Sequence, residues 1–307
     1  MQFRFGTELI HVNTATSQAL LDRLRLRLQG GRGFAVATLN LDHLVKLGRS
    51  ADYRAAYAAH DFVVADGNPI VWLSRLAGRP VALAPGADLV PDLARLAARC
   101  GAPVALVGST GDALARAGQR LREDAPGLHI AARLAPGMGF DPEGPEAEAL
   151  LTGIAASGAR LCLLALGAPK QERFAAFARG RLPNVGFVSV GAGLDFLAGH
   201  QTRAPRILRR LALEWLWRAL SAPRRMVPRY ALCAAILPRH ALAALRLRRT
   251  PPAPGSLVLE QFRPAPAQPR QVEPDHAQRL GELAQHGEQR GLGPQPRGKP
   301  KHLRRIG

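Results

Sequence analysis

Acids, cysteines and long apolar runs are all scarce in this 307-residue chain, and each shortage removes a class of protein. The three cysteines, Cys100, Cys162 and Cys233, form no C-x-x-C spacing and no disulfide framework, which points to a reducing cytoplasm and no structural metal. Cys162 lies inside the apolar run RLCLLALG and reads as a small core residue. No stretch supplies the 18 consecutive apolar residues of a membrane span; the nearest, YALCAAILP at 230–238, runs half that length into Pro238-Arg239-His240. The opening MQFRFGTELIHVNTAT lacks a charged segment followed by an apolar one, so no signal peptide is expected. No D-x-D occurs, which leaves a metal–diphosphate clamp without obvious ligands.

The shortage of acids is local. Residues 1–199 carry 21 Lys and Arg against 17 Asp and Glu, whereas 200–249 carry 12 arginines against the single acid Glu214. A block with an excess of 11 positive charges requires an anionic partner: nucleic acid, an anionic bilayer or a phosphorylated substrate.

What is abundant is alternation. GFAVATLN (33–40), FVVAD (62–66), PVALVGS (103–109), LHIAAR (128–133), RLCLLALG (160–167) and VGFVSVG (185–191) read as buried strands. Helical patterns stand between them at 18–29, 88–100, 111–124 and 145–157. This rhythm predicts an α/β fold, a mostly parallel Rossmann-like sheet with helices on both faces, over 1–199. Ligands of such sheets bind at the carboxyl ends of the strands, which places Asp66, Gly108, Gly167 and Gly191 on one rim. Residues 200–249 form a basic helical appendage with Trp215, Trp217 and Tyr230 among the arginines, broken at Pro238. Residues 250–307, rich in Pro, Gln and Arg, are expected to be disordered.

Several stretches on that rim have the means for chemistry. Asp66 is a lone carboxylate at the end of an apolar strand, where desolvation is expensive. Thr38 and Asn40 end the first strong strand and present a hydroxyl and an amide; Asn40 is equally a helix N-cap for LDHLVKL. GAPKQE (167–172) ends a strand and starts a helix whose first turn holds Lys170, Gln171 and Glu172, an arrangement suited to an anion, or to an ordinary turn with surface Lys and Glu. Gly191-x-Gly193 resembles half a dinucleotide fingerprint, but Phe196 stands where the third glycine belongs. Phe140, after PGMG, either stacks on a base or seals the core. The basic block suits a membrane interface, and on charge alone it also suits RNA.

Taken in order, T-x-N at 38–40, Asp66-Gly67, G-x-D-L at 86–89, G-A-P-K-Q-E at 167–172, G-A-G-x-D-F-x-A-G at 191–199, R-A-P at 203–205, LEWLWR at 213–218 and P-R-R at 223–225 resemble the WecG/TagA/CpsF glycosyltransferases, over about residues 5–240. The resemblance implies an inverting transfer from a UDP-sugar to an undecaprenyl-diphosphate-linked sugar, without a metal or other cofactor, by an enzyme peripheral on the inner face of the cytoplasmic membrane. It implies Asp66 as general base and Thr38, Asn40 and Gln171 in the pocket. Its nucleotide region falls on Phe140, Gly191, Gly193 and Asp195, and the rim residues Gly108, Gly167 and Lys170 join them as donor-binding candidates. Diphosphate and membrane contacts fall on Arg203, Arg206, Arg218, Arg224 and Arg225 of a segment that caps the site. The implied partners are the UDP-sugar, the lipid-linked acceptor and an anionic bilayer, with no nucleic acid; a homo-oligomer is compatible with this. The chain departs from the family at Leu83, where an active-site arginine is usual; Arg79 or an arginine of the basic block is the expected substitute. A nucleic-acid-binding protein and a nucleotide-dependent oxidoreductase are the rival classes.

Overall fold

The computed structural model describes residues 1–200, 204–205, 207–208 and 213–250; the expected disordered tail lies outside them. Two short antiparallel strands, β1 (Gln2–Phe5) and β2 (Glu8–His11), precede a six-stranded sheet. Its strands are β3 (Phe34–Leu39), β4 (Phe62–Ala65), β5 (Val104–Gly108), β6 (Ile130–Leu134), β7 (Leu161–Ala165) and β8 (Gly186–Ser189). All pair in parallel, in the order β4-β3-β8-β7-β5-β6. The six apolar runs of the sequence are these six strands.

Five of the six, all but the edge strand β6, are buried along their length because helices cover both faces. Side chains alternate along β3: Phe34 and Val36 join one cluster with Leu20, Leu24, Leu106 and Leu163, while Ala37 and Leu39 join another with Tyr53, Tyr57 and Ile70. Helices α1 (Ser17–Gln29), α2 (Leu41–Leu47), α3 (Ala51–Ala58) and α4 (Asn68–Leu76) come first. Then follow α5 (Gly86–Arg99), α6 (Gly111–Asp124), α7 (Pro145–Ala156), α8 (Lys170–Arg181) and α9 (Gly193–Leu197). Thr16, Asn40, Ser50 and Thr110 each cap a helix by accepting from the N–H three residues on.

In the basic block, α10 (Glu214–Ser221) is followed by α11 (Pro223–Arg248), one uninterrupted helix. Here the structure corrects the expected break, since Pro228 and Pro238 both lie inside it. An interior proline costs a helix about 3 kcal/mol. Tertiary packing offsets this: Met226, Cys233, His240 and Ala244 are buried, the helix packs on α2 and α4, and Arg229 donates to Asp42 at 2.8 Å. The carbonyls that the two prolines leave without a helical donor belong to Arg224 and Ala234, both exposed residues. With 26 residues and a mean hydropathy of 1.2 over its most apolar window, α11 is long and apolar enough by composition to cross a membrane. A search for an unbroken apolar run overlooks it because arginines and prolines interrupt the pattern.

Candidate active site

Because the strands are parallel, their carboxyl ends emerge on one side, where Gly108 is the last residue of β5 and Asp66, Gly167 and Gly191 follow the ends of β4, β7 and β8. The backbone N–H of Asp66 donates to the Leu39 carbonyl at 2.7 Å, which ties the end of β4 to β3. The next residue, Gly67, has φ +130°, and a Cβ there would lie 3.7 Å from the Cβ of Asn40. Asp66 and Asn40 are therefore neighbours across the strand ends. The other carboxylate of this strand, Asp61 at its amino end, is structural: it binds Arg179 at 3.1 Å and the Ala35 N–H at 2.9 Å.

Leu83 explains itself by position. It pairs in parallel with Ala65, and Ala84 donates to the Ala65 carbonyl at 2.8 Å, so residue 83 sits on the free edge of β4 one step from Asp66. Its side chain is 39% exposed. Arg79, one expected substitute for the arginine usual at this position, instead donates to the Thr250 carbonyl at 3.2 Å.

Asn40 acts as the N-cap of α2, its Oδ1 accepting from the His43 N–H at 3.0 Å; its Nδ2 has no protein partner among the described residues. Thr38 is buried, and its carbonyl accepts from the Tyr57 hydroxyl at 3.3 Å. That hydroxyl lies 2.6 Å from His43 Nδ1. Burial pushes His43 down to about 3, so its ring is neutral and can donate from Nδ1. Burial and the nearby Glu172 raise Tyr57, with a further push from Asp66.

Gln171 and Glu172 depart most from the expectation of a surface turn, being 2% and 0% exposed. Gln171 Oε1 accepts from the Gly191 N–H at 3.2 Å, and its Nε2 donates to Glu172 Oε1 at 2.7 Å. Glu172 Oε2 accepts from the Tyr53 hydroxyl at 3.2 Å. Burial raises Glu172 to about 7, outweighing these two donors. Beneath the rim, polar groups thus run from Gly191 through Gln171 and Glu172 to Tyr53, beside the group formed by Tyr57, His43 and Thr38. Tyr53 and Tyr57 reach it together because they are four apart on α3, with rings edge-on at 5.1 Å. The sequence carried one signal for Gln171: with Phe174, Ala175 and Ala178 it forms an i, i+3, i+4, i+7 stripe, here wholly buried.

The remaining candidates divide. Gly167 (φ +72°) and Gly191 (φ +57°) open onto space with nothing within 4 Å of a built Cβ. Lys170 opens α8. Asp195 on α9 accepts from the Ser109 hydroxyl. By contrast, a Cβ on Gly193 would meet Val90 Cγ2 at 2.9 Å and Ala87 Cα at 3.1 Å, so this glycine admits α5. A Cβ on Gly108 would meet the Ala165 carbonyl at 2.4 Å, so this one admits the backbone of β7. Phe140 is 4% exposed and packs edge-on against Phe174 at 5.8 Å; of its two expected roles, sealing the core is the one observed.

Cations near the rim include Lys46, which pairs with Asp42 at 2.8 Å and donates to the Ala168 carbonyl at 3.0 Å. Arg224 and Arg225 are exposed at the start of α11. Arg203, Arg206 and the Arg218 side chain lie outside the described residues. Among the described residues no three His, Cys, Asp or Glu side chains gather as a metal-binding group.

The arrangement offers a carboxylate for proton transfer, an amide beside it, and an open helix N-terminus across the same sheet end, as a transferase of an anionic donor requires. Residues 7–252 match the family model described as "Glycosyl transferase WecG/TagA/CpsF family". With most of its length inside that match, the chain belongs to the WecG/TagA/CpsF family of glycosyltransferases of cell-surface polysaccharide biosynthesis.

Proposed function

We propose that the chain is an inverting, metal-independent transferase that moves a sugar from a UDP-sugar to an undecaprenyl-diphosphate-linked sugar at the inner face of the cytoplasmic membrane. The observation that carries this reading is Asp66: a single half-buried carboxylate at the carboxyl end of β4, beside Asn40 and on the rim that holds Gly167 and Gly191. Asp66 takes the proton of the acceptor hydroxyl, and the oxygen attacks the anomeric carbon from the side opposite UDP. The bond from that carbon to the β-phosphate oxygen breaks, its electron pair leaves with UDP, and the configuration inverts. The first-turn N–H groups of α8, with Lys170 and arginines of 200–249, meet the charge gathering on the diphosphate.

The same basic segment serves the membrane. Trp215 is 50% exposed and Leu220 72%, with Val227, Leu232, Leu242 and Leu245 also exposed, among arginines each worth ~1 kcal/mol near an anionic surface. Incubation of the protein with a panel of UDP-sugars and a lipid-diphosphate-sugar acceptor, with and without EDTA, tests the reading. Asp66→Asn should fold normally and lose turnover by ~10²–10⁴-fold. Activity within a few-fold of wild type refutes Asp66 as base, and loss of activity in EDTA refutes metal independence. Flotation with anionic vesicles should weaken as salt rises.

A further inference from the structure

A second cationic site lies away from the rim. A cavity of about 440 Å³ is lined by Arg4 from β1, Gly48 at the end of α2, Arg54 from α3, and Arg239 and His240 from α11, none of them a residue of the candidate active site. Three guanidinium groups from three separate elements meet there. Arg54 is paired, with Glu8 and with the Leu47 carbonyl. Arg4 and Arg239 have no carboxylate partner among the described residues.

Two further details point inward. Gly48 has φ −64°, a conformation open to any residue, yet a Cβ there would lie 3.4 Å from Arg239 Nη2. The guanidinium of Arg239 therefore packs against the end of α2. His240 is 7% exposed, sits edge-on to Phe3 and Phe5, and its Nε2 has no hydrogen-bond partner. Like charges converging on one cavity repel, so the occupant that relieves them is an anion.

We propose that this cavity binds a phosphoryl group, held by Arg4 and Arg239 and seated beside His240. Planar guanidinium groups match the oxygens of a tetrahedral phosphate in bidentate fashion, which a halide cannot exploit. The group comes either from a soluble phosphate ester or from the head of an anionic lipid. The second source is natural for a site on α11, whose Leu242 and Leu245 are exposed close by. The site stands independently of the role given to Asp66.

Calorimetric titration of the full chain with inorganic phosphate, against chloride at matched ionic strength, tests it. Arg4→Gln and Arg239→Gln should each weaken phosphate binding by about tenfold or more. Gly48→Leu, which fills the space beside Arg239, should weaken it as well. Arg239→Lys should retain part of it, and Asp66→Asn should leave it unchanged. Arg4 and Arg239 are exposed, so their variants should unfold at the wild-type midpoint. Flotation with phosphatidylglycerol vesicles separates the sources: a parallel loss in the two glutamine variants assigns the lipid head, and unchanged flotation assigns the soluble ester. Phosphate affinity within twofold of wild type in both glutamine variants overturns the proposal.

Discussion

Glu172 is a carboxyl group held with no solvent exposure, and its titration should be measurable as stability. In the folded protein it titrates near 7, against 4.5 when unburied. For an acid, a raised value means that the ionised form is the one the fold disfavours. Folding therefore has its full advantage below pH 4.5, loses it as pH rises from 4.5 to 7, and changes no further above that. The interval corresponds to a total on the order of 3 kcal/mol, of which about 2–3 kcal/mol falls between pH 5 and 8.5. Glu172→Gln is nearly isosteric and does not titrate. Urea unfolding of both proteins at pH 5 and pH 8.5 isolates the effect, because every other titrating group is shared. Wild type should lose about 2–3 kcal/mol more than Glu172→Gln over that range. The glutamine also differs in hydrogen bonding from the protonated carboxyl that the wild type holds at pH 5, because its amide NH₂ cannot accept from Gln171 or Tyr53 as an oxygen does. That offset is present at both pH values and cancels in the difference. An equal pH dependence in the two proteins would refute the reasoning and mean that Glu172 stays ionised throughout.

Three other substitutions separate packing from chemistry. Phe140→Ala should destabilise by about 3–5 kcal/mol, the usual loss for a buried ring, in chemical denaturation. A raised KM for the donor at unchanged stability would instead return Phe140 to the nucleotide. Gly193→Ala pushes a methyl group against Val90 and Ala87 and should cost about 1–3 kcal/mol by the same measurement. A neutral result would show that α5 can withdraw. Leu83→Arg places a cation one residue pair from Asp66 on an exposed edge; stability should stay within about 0.5 kcal/mol, and kcat/KM for the diphosphate-linked acceptor should rise. Unchanged kcat/KM would mean that another cation already serves.

Periodicity and composition determined the architecture of this protein. Six short apolar runs, none long enough for a buried helix and each followed by a glycine or polar residue, dictate parallel strands buried on both faces, and the ligand rim follows from their common direction. The order of the short motifs likewise determined the family. The sequence did not decide which residues of those motifs face the rim and which face the protein. Gly191 and Gly193 are two residues apart, yet one opens to space while the other is pressed by α5, a distinction made by a helix a hundred residues earlier in the chain. Pro238 stays helical because α11 lies on α2 and α4, a packing energy that no local window contains. Glu172 reads as a surface acid beside Lys170, but α8 turns it toward α3, where Tyr53 covers it. Local propensity is encoded over a few residues, whereas burial and charge state depend on what the distant chain packs against each side chain, and only the tertiary structure decided those.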